Sequence, residues 1–120
     1  MVFINLSNHP SEKWSEEQLS AARKYGDIID IPFPAIDAMC TEDDIDDYVK
    51  KYYVMVKQYD NPVVMIQGEF TFTYRMVNCL KENGIKTLAS CTDRIVEDKV
   101  LADGRIEKTS LFQFARFREY

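Results

Sequence analysis

Apolar and polar positions along the chain alternate between two periods. Val2 to Leu6 is a short apolar run, and Asn8-His9-Pro10-Ser11 breaks it, because proline restricts itself and the residue before it. Ser15 then reads as a helix N-cap with Gln18 three residues later, as in a capping box, and Trp14 is set to pack on Leu19 as a staple. Leu19, Ala22 and Tyr25 face inward on that helix, and Gly26 ends it. Asp27 to Phe33 holds a second apolar run, stopped by Pro32 and Pro34, and Ala35 to Cys40 reads as a loop. Thr41 caps the next helix, whose first turn carries Glu42, Asp43 and Asp44 at the positive end of its dipole. Ile45, Tyr48, Val49, Tyr52, Tyr53 and Val56 recur at helical spacing until the pattern fades near Gln58-Tyr59, before the turn residues Asp60-Asn61-Pro62.

Val63 to Ile66 is almost wholly apolar, as a central strand covered on both faces should be. Phe70 to Asn83 predicts a third helix, with Tyr74, Val77 and Leu80 or Lys81 on successive turns and Gly84 as its stop. Ile85 to Cys91 predicts a fourth strand. Ile95 to Leu101 and Ile106 to Phe117 flank Ala102-Asp103-Gly104-Arg105, and Asp-Gly between extended runs is a strong hairpin signal. Three successive strand–helix units and a strand imply a parallel sheet with right-handed crossovers. The reading is a single α/β domain over residues 1–120, a three-layer Rossmann-like parallel sheet of order 2-1-3-4 with a C-terminal antiparallel β-hairpin.

Composition narrows this picture. Hydrophobic residues make up 46% and charged residues 29%, ordinary for a globular domain. A net charge of −5 argues against a duplex-binding surface, which needs a basic face, but leaves room for a small anion held locally. Met1-Val2-Phe3-Ile4-Asn5-Leu6 has no basic region and no long apolar segment, and no run approaches the ~18 residues that span a bilayer, so neither a leader nor a membrane partner is expected. Cys40, Cys79 and Cys91 are odd in number and unevenly spaced, and His9 is the one histidine. Reduced thiols, a cytoplasmic location and no metal are therefore expected. Without G-x-G-x-x-G or a Walker loop, no cofactor is expected. Seven Tyr and seven Phe exceed what one small core readily hides, which points to a homodimer built on the third helix or the last strand.

In such a sheet the strands deliver their carboxyl ends to one ligand crevice. The polar exits are Ser7, Asn8, His9 and Ser11; Gln67, Gly68, Glu69 and Thr71; and Ser90, Thr92, Asp93 and Arg94. His9 suits proton transfer. Gly68 permits backbone approach, and the helix start after it offers N–H groups to an anion. Arg94 offers a bidentate phosphate contact. Each has a structural alternative: His9 in a turn, Glu69 answering the helix dipole, Arg94 in an ion pair with Asp93 or Glu97, and Thr71 and Thr92 as caps. Cys91 reads as a buried thiol, and Glu42 to Asp47 as a solvated helix start.

Ile4-Asn5-Leu6-Ser7-Asn8-His9-Pro10-Ser11, Gln67-Gly68-Glu69-Phe70-Thr71 and Phe114-Ala115-Arg116-Phe117-Arg118-Glu119-Tyr120 resemble a small CRISPR-associated, Rossmann-like group of the nucleotide-sensing, ring-nuclease type. The resemblance implies metal-independent opening of a cyclic oligoadenylate by attack of a ribose 2′-hydroxyl on the adjacent phosphate, in antiviral defence. His9, Glu69 and Arg94 would be catalytic; Asn8, Ser11, Gln67, Gly68, Thr71, Ser90 and Thr92 would hold the ligand. A nucleotide sensor that does not cleave, and a purely structural homodimer, are the alternatives.

Overall fold

The computed structural model describes residues 1–120. The strands are β1 (Val2–Ser7), β2 (Asp27–Asp30), β3 (Pro62–Gln67), β4 (Lys86–Val100) and β5 (Ile106–Glu119); the helices are α1 (Glu16–Arg23), α2 (Glu42–Lys57) and α3 (Phe70–Glu82). The sheet order is β2-β1-β3-β4-β5. The first four strands are parallel and β5 returns antiparallel along β4. The predicted order 2-1-3-4 with a closing hairpin is therefore the observed one.

Alternation along the central strands explains the three layers. Ile4, Leu6, Val64 and Ile66 face α2 and α3, where they meet Ile45, Val49, Val56, Phe72, Met76 and Leu80. Phe3, Val63, Met65 and Leu88 face the other way, toward Ala22 of α1 and Trp14, and Phe117 of β5 closes that second core. Capping sets the helix starts. Ser15 accepts the Gln18 N–H, and Thr41 and Asp44 form a complete capping box.

Three features differ from the sequence reading. β2 ends at Asp30 rather than Phe33, since Pro32 has no N–H to extend the ladder. On α3 the buried stripe is Phe72, Met76, Val77 and Leu80, so Tyr74 points to solvent. Most importantly, the fourth strand does not end at Cys91. It passes a bulge at Cys91/Thr92 and continues to Val100.

β3 supports β4 only at Lys86 to Leu88. Beyond the bulge β4 has β5 alone as a neighbour, and Thr92–Val100 carries a two-stranded ribbon about 30 Å away from the body. The longest dimension is 57 Å and the radius of gyration 17.4 Å, against about 14 Å for a compact chain of this length. No helix is long and apolar enough to cross a membrane.

Candidate functional site

Between the carboxyl ends of β1 and β3, the start of α1 and the root of the ribbon lies a cleft of about 830 Å³. Its floor is set by the end of β1. Asn5 is buried, and its amide donates to the His9 carbonyl at 2.9 Å and to Asp30 Oδ1 at 3.1 Å. Its own oxygen accepts the Ser7 hydroxyl at 2.6 Å. The His9 carbonyl also accepts the Trp14 indole N–H at 3.1 Å, and the His9 N–H donates to Ser7 Oγ at 3.2 Å. Asp30 Oδ2 takes both the N–H and the hydroxyl of Ser11, each at 3.1 Å. The turn that follows β1 is thus pinned from four sides, and it presents the Asn8 and His9 side chains to solvent at the cleft.

The opposite wall is built where the β3–β4 ladder has stopped. The Gln67 side-chain oxygen accepts the Ser90 N–H, replacing the ladder bond that parallel pairing no longer supplies. The Gln18 amide comes within 3.4 Å of the Ser90 hydroxyl. Gln18 is buried although polar, because its head reaches the cleft instead of returning to the Ser15 backbone as a capping box would require. The last residue locks this wall: the Tyr120 hydroxyl donates to the Ile66 carbonyl at 2.6 Å, and burial pushes its pKa up.

Six of the residues predicted from sequence line the cleft: Asn8, His9, Gln67, Gly68, Ser90 and Thr92. Four do not. Ser11 faces Asp30. Glu69 is the N-cap of α3, taking the N–H groups of Thr71 at 3.0 Å and Phe72 at 2.8 Å, and Thr71 spends its hydroxyl on the same carboxylate. The helix terminus expected to bind an external anion is therefore neutralised from within. Arg94 sits out on the ribbon, where its guanidinium reaches Ser110 Oγ at 3.1 Å. Of His9, Glu69 and Arg94, His9 alone lines the cleft. Gly68 has a packing explanation as well, since a Cβ there would lie 2.4 Å from the Phe33 ring.

The Phe72 N–H, and after it the Thr71 hydroxyl, hold the Glu69 carboxyl below its usual pKa. A carboxyl depressed by folding stabilises the fold above its unfolded pKa, and that stability is lost as pH falls through the folded value. Glu69→Ala should cost about 1 kcal/mol at pH 7. Urea unfolding at descending pH should show the gap between variant and wild type closing below the ordinary carboxylate range.

The cleft also takes in residues that sequence reasoning passed over: Lys13, Glu17, Gln18, Phe112, Gln113 and Phe114. Together these groups offer carboxamide donors and acceptors, an aromatic wall, one ammonium, one imidazole and one carboxylate.

A family model described as "Uncharacterized protein MJ1673 family" matches residues 1–118. A protein of Methanocaldococcus jannaschii named "Uncharacterized protein MJ1673" is 38% identical over 80 residues, which cover 65% of this chain and 61% of that relative's length. The chain thus spans about three fifths of that relative. No solved structure matches.

Proposed function

The chain belongs to the uncharacterized protein MJ1673 family, and we propose that it binds a small cyclic oligoadenylate in the cleft at the carboxyl edge of its sheet. The observation that carries this reading is the mixture of groups around one volume: the carboxamides of Asn8 and Gln113 and the exposed ring of Phe112. An Asn or Gln carboxamide matches the N6 and N7 edge of adenine with paired hydrogen bonds. An aromatic face holds a base by stacking, worth about 1–3 kcal/mol per base. A volume of about 830 Å³ lies within the range of small-ligand sites. Lys13 supplies the local positive charge for a phosphate in a chain that is acidic elsewhere.

Ring opening, the chemistry implied by the resemblance to CRISPR-associated ring nucleases, is a second reading, and His9 favours it. In that reaction the ribose 2′-oxygen bonds to the adjacent phosphorus and the P–O5′ bond breaks. The 2′-hydroxyl proton goes to a base, and O5′ departs with a proton from an acid. An imidazole titrates nearest to neutral pH and can serve either transfer. His9 carries its imidazole on a backbone fixed by Asn5, Ser7 and Trp14. Glu17 is the carboxylate on the same cleft. Glu69 and Arg94, which lie outside it, take no part.

Thermal unfolding with cyclic tetra-adenylate, run beside a cleavage assay in EDTA read by chromatography, tests both. At about 100-fold the dissociation constant, the melting temperature should rise by roughly 10 °C. A linear product from wild type, lost in His9→Ala with the thermal shift retained, supports ring opening. A shift without product leaves a sensor, and no shift with any adenine nucleotide overturns the binding reading.

A further inference from the structure

The ribbon beyond Cys91 is covered by nothing in this chain. A two-stranded hairpin alone is marginal in water. This one carries opposite charges directly across its strands, Asp98 beside Lys108 and Lys99 beside Glu107. It also exposes large apolar side chains. Val96, Val100, Ile106 and Phe112 are 52%, 71%, 64% and 72% exposed, and the strand register puts all four on one face, the face that continues into the cleft through Thr92 and Phe114.

No ion pair closes within the chain on that face, although Asp98 and Lys108 stand opposite each other across the strands. The ion pairs of the molecule are Arg75–Asp46 and Arg105–Asp103. Arg94 has only the Ser110 hydroxyl. Arg94 and Asp98 stand on either side of Val96 along β4, about 13 Å apart on an extended strand, too far to pair with each other. On β5, Lys108 and Phe112 flank Ser110, which lies opposite Val96.

That arrangement is self-complementary. Consider a two-fold axis lying between two stacked ribbons, perpendicular to the strands at Val96 and Ser110. It sets Arg94 over Asp98 of a second copy and Asp98 over its Arg94. It sets Phe112 over the second copy's Lys108, a cation–π contact, and Ile106 over its Phe114. Arg94 and Asp98 then meet opposite charges, Val96 meets its own copy, and Val100 lies over the second copy's Thr92, so the face matches itself as an isologous interface requires. We propose that this face of the ribbon is the docking surface for a second copy of the same chain, paired across Val96 in this register. The partner's ribbon tip then closes the open side of the cleft at Phe114. The proposal shares Phe112 and Phe114 with the cleft, and its test reads association of the chain in the absence of any ligand, so its failure is distinguishable from failure of the binding reading.

Sedimentation or light scattering of the full chain tests it, with far-UV circular dichroism as the fold control. Wild type should have twice the 14.0 kDa mass of one chain. Arg94→Asp and Asp98→Arg each create a like-charge pair twice over and should weaken association by at least about tenfold per variant. The double variant Arg94→Asp with Asp98→Arg restores opposite charges across the axis and should recover the dimer, with circular dichroism checking that the like charges then facing each other at positions 98 and 108 leave the ribbon folded. Rescue within one chain is excluded by the distance along the strand. A 14.0 kDa wild type at high micromolar concentration overturns the proposal. So do folded single variants that dimerise as wild type, a folded double variant that stays monomeric, and a ribbon that associates only with nucleic acid or another protein.

Discussion

Asn5→Ala should lower unfolding stability by about 3 kcal/mol and the melting temperature by roughly 10 °C. Asn5 is 1% exposed, so its side chain has no water to fall back on. Its amide satisfies a carbonyl at His9 and a carboxylate at Asp30, and its oxygen accepts Ser7. The bond to the carboxylate is the stronger kind, and a small cavity under the sheet edge adds to the loss. The effect on the cleft should exceed the effect on the fold. Without Asn5 the His9 carbonyl keeps only the Trp14 indole and the Ser7 hydroxyl, and the turn carrying Asn8 and His9 is tied to β2 by the exposed Ser11–Asp30 contacts alone. Ser11→Ala removes one exposed contact to Asp30 and should cost well under 1 kcal/mol. Urea unfolding of the two variants separates a pinned turn from a generally weakened one. Equal losses in both would show that Asn5 is not what fixes the site.

The sequence made Asn5 hard to notice, and the reason is general. A lone asparagine inside Phe3-Ile4-Asn5-Leu6 interrupts an apolar run without announcing which distant group it serves. The parallel core was legible because burial on both faces leaves a mark at every position of Val63 to Ile66. The hairpin was legible from Asp103-Gly104 between two extended runs, but the continuity of β4 into it was not, because an exposed two-stranded element puts no constraint on polarity. Thr92-Asp93-Arg94 therefore looked like a loop at a strand end while being the middle of β4. That one misreading moved Arg94 from the ribbon to the expected crevice.

Glu69 illustrates a different difficulty. An acidic residue before a helix suits both a catalytic carboxylate at a strand exit and an N-cap, and the two differ only in where the side chain turns. The Thr71 hydroxyl and the Phe72 N–H decide it here. Gln18 shows the converse. Its position three residues after Ser15 suggested a capping role, but the cleft gave its amide the Ser90 hydroxyl instead. Sequence placed the exits of β1 and β3 correctly, and the choice among side chains at each was made by hydrogen bonds between elements far apart in the chain.

Gly26→Ala should cost about 3 kcal/mol while leaving the cleft's chemistry untouched. Gly26 joins α1 to β2 with φ at 150°, a conformation that side-chain-bearing residues rarely adopt, and holding alanine there costs about 1–3 kcal/mol. The second contribution is steric. A Cβ at Gly26 would lie 2.3 Å from the Met1 carbonyl oxygen and 2.9 Å from the Val2 nitrogen, both backbone atoms at the start of β1. No rotamer relieves a backbone contact, so the strand entry itself must move, and Val2 pairs with Asp27 in the adjoining ladder. Gly84→Ala isolates the first contribution. Its φ is 73°, and nothing lies within 4 Å of a Cβ there, so only strain of about 1 kcal/mol remains. Denaturant unfolding of the pair should show Gly26→Ala losing clearly more than Gly84→Ala. Similar losses would mean that β1 yields at its entry, and that the close passage of the α1–β2 turn over Met1 and Val2 contributes little to holding β2 in register.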